Sequence, residues 1–162
     1  MRPITLAKTT TAALTTALVG GLASRPAQSK WYERLRKPSF QPPRQAFPIV
    51  WPILYADIAV TSARTLDTLR ADGRADQARV YTAALGVNLA VNAAWSWVFF
   101  SRRQLGAAAV TAAALTVSSA DLTRRAVSAQ GAPGATLAPY PLWCAFATAL
   151  STSIWMLNRP IS

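Results

Sequence analysis

The sequence predicts an all-α fold, an integral membrane bundle of five transmembrane helices that forms a single domain over residues 1–162. Hydrophobic residues make up 52% of the chain and charged residues only 14%, whereas about 25% of an ordinary soluble domain is charged. Five apolar stretches follow one another, each of about 20 residues and therefore long enough to cross a hydrocarbon core of about 30 Å. Most Lys and Arg residues lie in the gaps between these stretches, where they would meet lipid headgroups.

The first stretch, residues 4–23, is the weakest candidate span because it is rich in threonine and alanine and contains Lys8. Arg2 before it and the small residues after it also fit a secretory signal peptide. Removal of this stretch would leave four spans and an orphaned loop, so we expect a retained helix.

Residues 25–45 join the first two helices and are too polar and proline-rich to cross a bilayer. They contain more aromatic side chains than a plain linker, among them Trp31, Tyr32 and Phe40. We expect a loop with a short amphipathic segment.

We predict the other four helices over residues 47–69, 78–100, 105–127 and 139–158. Pro48 and Pro52 fall at the start of the second helix, where the missing N–H of proline costs little. The third helix ends before Arg102 and Arg103, and a Gly-Ala-Pro-Gly turn precedes the fifth. Alanine and threonine fill these helices in place of leucine, which favours close helix packing in lipid.

The orientation in the membrane is not decided by charge. If the loop at 31–43 is cytoplasmic, nearly equal numbers of Lys and Arg residues fall on the two sides, and the positive-inside rule counts those residues. We expect this loop and the C-terminus to be cytoplasmic.

The composition also excludes several function classes. The chain has no histidine, which removes Ser-His and Cys-His catalysis and imidazole metal ligation. No two carboxylates show a metal-site spacing, so we expect neither a metal nor a permanently bound cofactor. Cys144 is the single cysteine, which precludes an intrachain disulfide. The net charge of +11 comes without a recognised nucleic-acid-binding motif, and we do not expect nucleic acid as a partner.

Polar residues form a stripe on the third predicted helix, where Asn88, Asn92, Trp95 and Phe99 share one face. Two amides cannot point at lipid without leaving hydrogen-bond donors unsatisfied. They either bond between helices as structural glue or line a polar part of a cavity.

Aromatic residues form similar stripes on two other helices. Trp51 and Tyr55 share a face of the second helix, and Tyr140, Trp143 and Ala147 share a face of the fifth, which Ser151 and Ile154 extend. Each ring alone is typical of an interfacial anchor. Three such stripes on three helices favour a shared pocket for a flat ligand.

Two acidic residues lie inside predicted spans. A functional role is the default hypothesis for Asp57, although a structural bond to a neighbouring Asn or Thr fits equally well. Asp121 is followed by Arg124 and Arg125 at helical spacing, so we expect local ion pairs.

Five segments carry a resemblance to a known family, and they read Trp-Tyr at 31–32, Lys-Pro-Ser-Phe-Gln-Pro-Pro at 37–43, Phe-Pro-Ile-Val-Trp at 47–51, Asn-Ala-Ala-Trp-Ser at 92–96 and Pro-Tyr-Pro-Leu-Trp at 139–143. In their order and spacing they resemble the tryptophan-rich sensory protein / translocator protein family. The resemblance covers the chain from about residue 30 to 160.

The resemblance implies a multi-pass protein of a bacterial cell membrane, commonly a homodimer, with a pocket beneath the first loop. The ligand would be a porphyrin, protoporphyrin IX or haem, and the protein a sensor or carrier that regulates or transports it. Carried over by motif, the ligand-binding residues would be Tyr32, Trp51, Asn88, Asn92, Trp95, Tyr140, Trp143, Phe146 and Ala147. Basic residues of the first loop, Arg34, Arg36 and Lys37, would form a lid for the porphyrin propionates.

An alternative implied by some family members is light- and oxygen-dependent degradation of protoporphyrin IX, with Trp51 and Trp143 as the catalytic residues. A transporter that uses Asp57 as a coupling acid is the third hypothesis.

The sequence also departs from the family pattern. Asn88 stands where glutamine is usual, Ser151 where asparagine is common, and Phe40 where tryptophan is common. No tyrosine follows Tyr140, so the tyrosine-centred sterol motif is missing and we do not expect sterol recognition through it. Without histidine, haem would bind by stacking and not as a permanently ligated group.

Overall fold

Each of the five apolar stretches forms a long helix, and a sixth, short helix lies in the loop between the first two. The computed structural model describes residues 1–24 and 30–159, so residues 25–29 of the predicted loop and residues 160–162 lie outside the described residues. Over the described ranges the chain is helical and contains no strand. The helices are α1 (Pro3–Ser24), α2 (Lys30–Arg34), α3 (Ala46–Ala71), α4 (Ala75–Ser96), α5 (Leu105–Gln130) and α6 (Pro139–Leu157).

Two segments depart from α-helical geometry, and the sequence predicted neither. A π-helical turn, Trp97–Ser101, continues α4, and a 3-10 helix, Ala132–Leu137, joins α5 to α6. The bounds otherwise agree with the predicted ones to within three residues, the largest differences being the earlier start of α4 and the later end of α5. Its first turn contains Asp76, whose charge complements the helix dipole.

Three helical segments of the described chain are long and apolar enough to cross a membrane, namely Ala46–Ala71, Ala75–Ser101 and Leu105–Gln130. α1 and α6 are helical as predicted but fall outside this set. The threonines of α1 lower its mean hydropathy, and the two prolines and the tyrosine at the start of α6 lower that of α6. The count of five spans therefore stays a prediction.

The bundle has two distinct ends. At the lid end, where α2 lies, the Arg36 backbone and the Asn158 side chain exchange two hydrogen bonds of 2.9 Å. At the far end, the Thr5 hydroxyl of α1 donates to Asp67 of α3 at 2.7 Å. The loop that follows α2 and the end of α6 are thus on one side of the bundle.

α1 changes its packing partner along its length. Near the far end, the Thr9 hydroxyl donates to the Ala59 carbonyl of α3 at 2.8 Å. Closer to the lid end, Gly20 packs against α4 so tightly that a Cβ would lie 3.3 Å from Ser96 Oγ. α1 therefore leans from α3 towards α4 and leaves space beside α3.

The connection between α5 and α6 folds back into the bundle. Gly134 approaches α5 so closely that a Cβ would overlap the backbone of Ala126. The Thr136 hydroxyl lies 3.0 Å from that of Thr61 on α3. The first turn of α6 then places Tyr140 beside Asn88 and Asn92 of α4.

Candidate functional site

A cavity of about 1590 Å³ lies between α1, α3, α4 and α6, beneath α2. It is larger than the roughly 300–1,000 Å³ of ordinary ligand pockets. Exposed residues of α1 and α3, among them Gly21, Pro48 and Pro52, belong to its wall. The cavity therefore opens to the outside of the bundle between these two helices.

α2 covers the lid end of the cavity with Tyr32, which is buried. The Tyr32 ring lies 6.3 Å from the Phe99 ring and 5.8 Å from the Phe100 ring, measured between centroids. Phe99 and Phe100 both reach the cavity wall, because a π-helical turn has more residues per turn and keeps neighbours closer in direction.

Two aromatic pairs line the cavity, one on α3 and one at the end of α4 and in the π-helical turn that follows it. On α3, Trp51 stacks on Tyr55 with 5.5 Å between centroids and an interplanar angle of 30°. On α4, Trp95 lies 5.6 Å from Phe99 at 32°. All four rings line the cavity, so a flat apolar molecule would find aromatic surface to stack on.

A chain of hydrogen bonds runs from the cavity wall into the core. The Tyr55 hydroxyl donates to Asn92 Oδ1 at 2.9 Å, and Asn92 Nδ2 donates to the Tyr140 hydroxyl at 3.0 Å. The Tyr140 hydroxyl donates to Asn88 Oδ1 at 2.8 Å, and Asn88 Nδ2 donates to Ser118 Oγ at 3.2 Å. The chain joins α3, α4, α5 and α6.

For the two amides, the sequence left open a structural role between helices and a role in lining a cavity. These hydrogen bonds show which amide has which role. Asn92 lines the cavity and also bonds between helices. Asn88 is completely buried and, like Tyr140, does not line the cavity. Asn88 therefore only bonds between helices in this arrangement, whereas Asn92 bonds between helices and also lines the cavity.

The structure divides the nine predicted ligand-binding residues into two groups. Those that line the cavity are Tyr32, Trp51, Asn92 and Trp95. Those that lie behind or beside its wall are Asn88, Tyr140, Trp143, Phe146 and Ala147. A ligand-binding role for each of them stays a prediction.

Trp143 belongs to an aromatic layer one ring away from the cavity. Its ring lies 5.9 Å from that of Phe47, which lines the cavity, and 5.3 Å from that of Phe146. Phe146 in turn contacts Phe40 of the loop at 6.2 Å. The indole N–H groups of Trp143 and Trp95 are buried without a partner among the described residues, and such a donor costs about 1–3 kcal/mol.

The charged residues that line the lid end of the cavity are not the ones that the sequence indicated. Arg44 and Glu33 line the mouth, and Arg44 Nη1 lies 3.6 Å from Glu33 Oε1. Lys37 Nζ lies 4.5 Å from the centroid of the Tyr32 ring. Partial burial and the nearby Arg44 charge lower the pKa of Lys37. Of the predicted basic lid of Arg34, Arg36 and Lys37, none belongs to the cavity wall.

Sequence reasoning also missed the contribution of α1. Its Ala13, Gly20 and Gly21 line the cavity, and a face of small residues was the only signal for this. On α6 the lining residues include Ser151 and Ile154, the outer part of the predicted stripe. Which residues of a helix stripe reach a cavity depends on the angles at which the helices pack, and sequence spacing alone does not give these angles.

The two acids within the predicted spans have structural partners. Asp57 Oδ1 accepts a hydrogen bond of 2.8 Å from Thr61, and Asp57 does not line the cavity. Asp121 pairs with Arg124 and Arg125 at 2.6 Å each, which confirms the predicted ion pairs. Within residues 1–24 and 30–159, no three His, Cys, Asp or Glu side chains come together in a way that could hold a metal ion.

Comparison with known proteins extends over nearly all of these elements. The model of the TspO/MBR family matches residues 9–156. The Translocator protein of Homo sapiens is 35% identical over 132 residues, covering 80% of this chain and 76% of the human protein.

Two bacterial relatives show similar levels of identity. Protein CrtK of Rhodobacter capsulatus is 30% identical over 135 residues, covering 82% of either chain. The Tryptophan-rich sensory protein of Cereibacter sphaeroides is 30% identical over 129 residues, covering 80% of this chain and 77% of that protein. The matched region includes every helix that lines the cavity.

Proposed function

The chain belongs to the TspO/MBR family and is a multi-pass membrane protein, and from that premise we propose that it binds a porphyrin in the cavity beneath α2. It would act in a bacterial cell membrane as a sensor or carrier of this ligand. The relatives named as a sensory protein and as a translocator protein support a role of this kind.

The observation that carries the proposal is the large cavity lined by two aromatic pairs. A porphyrin is broad, flat and mostly apolar, which suits a volume of about 1590 Å³. Trp51 and Tyr55 offer one stacking surface, and Trp95 and Phe99 offer the other. The wall carries few polar groups, so orientation would depend on Asn92 and on the charged mouth.

We further propose that α1 and α6 cross the membrane with the three apolar spans. Their 22 and 19 residues correspond to about 33 and 28 Å of helix at 1.5 Å per residue. Leu18 and Leu22 of α1 are 69% and 52% exposed, and Leu142 of α6 is 70% exposed. Such side chains are best covered by lipid. Assembly as a homodimer is part of the proposal on family grounds.

The alternative of an enzyme that degrades protoporphyrin IX gains no support from the geometry. Of the two tryptophans it needs, Trp51 lines the cavity, whereas Trp143 lies behind Phe47.

Titration of the purified protein with protoporphyrin IX tests the proposal. Loss of a stacking ring costs about 1–3 kcal/mol, so Trp51→Ala should weaken binding by about 5- to 150-fold. Trp97→Ala is the matched control, because Trp97 is 46% exposed on the outside of the bundle. Equal affinity of the two variants would show that the Trp51 ring is not a binding surface.

A further inference from the structure

The mouth of the cavity is charged, whereas the rest of its wall is not. Among the described residues that line the cavity, Arg44 and Glu33 are the charged ones. Both lie at the lid end, where Arg44 immediately precedes the first turns of α3 and Glu33 belongs to α2. A ligand that enters beneath α2 would therefore place any charged substituent next to this pair.

The ion pair between these two residues is loose and accessible. The closest atoms, Arg44 Nη1 and Glu33 Oε1, are 3.6 Å apart, and the side chains are 56% and 53% exposed. A charge-assisted hydrogen bond of good geometry is about 2.7–2.9 Å long. Exposed pairs of this kind contribute little to stability, so Arg44 is available to another carboxylate.

Positive charge exceeds negative charge around the mouth. The Arg44 guanidinium lies 5.9 Å and the Lys37 ammonium 4.5 Å from the centroid of the Tyr32 ring. Glu33 is the one acid of the segment from residue 25 to 45. The mouth thus favours an anionic substituent, while the aromatic walls favour an apolar body.

We propose that Arg44 binds a carboxylate of the ligand in exchange for Glu33, so that the cavity selects flat apolar molecules with a carboxylate at the edge. A guanidinium can hold a carboxylate through two parallel hydrogen bonds, which its present contact with Glu33 does not form. The inference rests on the proposed porphyrin function and names the residue that distinguishes acidic from neutral ligands.

The test compares protoporphyrin IX, which has two propionates, with its dimethyl ester, which has none. Arg44→Gln should lower the affinity for the free acid by up to about fivefold, the upper range of an exposed ion pair, and leave the affinity for the ester unchanged. Glu33→Gln should raise the affinity for the free acid by removing the competing carboxylate. Arg34→Gln is the control, since Arg34 is exposed on α2 without lining the cavity.

The outcomes separate the inference from the proposed function. If Arg44→Gln changes the affinities for acid and ester equally, or changes neither, the inference is wrong while porphyrin binding stands. If wild-type protein binds neither form, the proposed function is wrong and the inference fails with it. Because Glu33→Gln and Arg44→Gln are expected to act in opposite directions, general damage to the fold cannot produce the predicted pattern.

Discussion

Tyr140 connects α6 to α4 through a hydroxyl that accepts from Asn92 and donates to Asn88. The side chain is completely buried, so both bonds form without competition from water. Hydrogen bonds between membrane helices average about 0.6 kcal/mol, but an amide left unpaired in a dry core costs about 1–3 kcal/mol. The hydroxyl therefore fixes the position of Asn92 on the cavity wall.

Leucine substitutions at the two asparagines should separate binding from assembly. Asn88→Leu should lower the thermal stability in detergent and leave protoporphyrin IX affinity close to that of the wild type, because Asn88 does not line the cavity. Asn92→Leu should lower both, with an affinity loss of about 5- to 150-fold for about 1–3 kcal/mol. Parallel melting curves and titrations measure the two effects, and an unaltered affinity in Asn92→Leu would contradict a wall role for that amide.

At the scale of elements, the loop that covers the cavity is held by a small clasp. Asn158, just after α6, accepts from the Arg36 N–H and donates to the Arg36 carbonyl, both at 2.9 Å. Asn158→Ala removes both bonds, so the Arg36 amide should exchange with deuterium about fivefold faster for a loss of about 1 kcal/mol. Asn158→Asp is the matched control, because it keeps the acceptor for that amide. Similar exchange in the alanine variant and the wild type would mean that the clasp does not hold the loop.

The helices could be predicted because each one follows from a local pattern. Apolar length, proline at the start of α3 and charged turns between spans fix most bounds to within a few residues. A turn after α5 could be predicted from the Gly-Ala-Pro-Gly sequence, but the close packing of Gly134 on the backbone of Ala126 could not, because a turn motif does not specify how closely the chain returns to the preceding helix.

The same limit applies to the candidate site. Trp51 and Trp95 line the cavity as the helix stripes indicated. The stripe of α6 gave no such guidance, because a buried face can meet a neighbouring helix or a cavity. Tyr140 of α6 bonds to α4, whereas Ser151 and Ile154 lie at the cavity wall.

At the scale of the whole molecule, the two ends of the bundle differ in how their charges are paired. At the far end, Asp67 and Asp76 each form an ion pair with arginine. Among the described Lys and Arg residues at the lid end, Arg44 is the one that forms an ion pair. If the lid end is cytoplasmic, as we expect, its unpaired Lys and Arg side chains would meet the anionic lipids of that leaflet.

Cysteine labelling in intact cells tests this orientation. Cys144 is buried, so a membrane-impermeant maleimide should react only with introduced cysteines. Asp72→Cys, at the far end, should label from outside, whereas Ser39→Cys, in the lid loop, should label only after permeabilisation. Both positions are exposed, and the reverse pattern would place the lid end outside.

The most direct test of porphyrin binding in this cavity is to fill the cavity without disturbing the helix packing. Gly21 lines the cavity, and a Cβ there would meet nothing within 4 Å. Gly86 on α4 has equally open space but does not line it, so Gly86→Phe controls for the added ring. Titration followed by porphyrin absorbance should show that Gly21→Phe loses most of its protoporphyrin IX affinity while Gly86→Phe binds like the wild type. Unchanged binding by a folded Gly21→Phe protein would contradict the cavity as the porphyrin site.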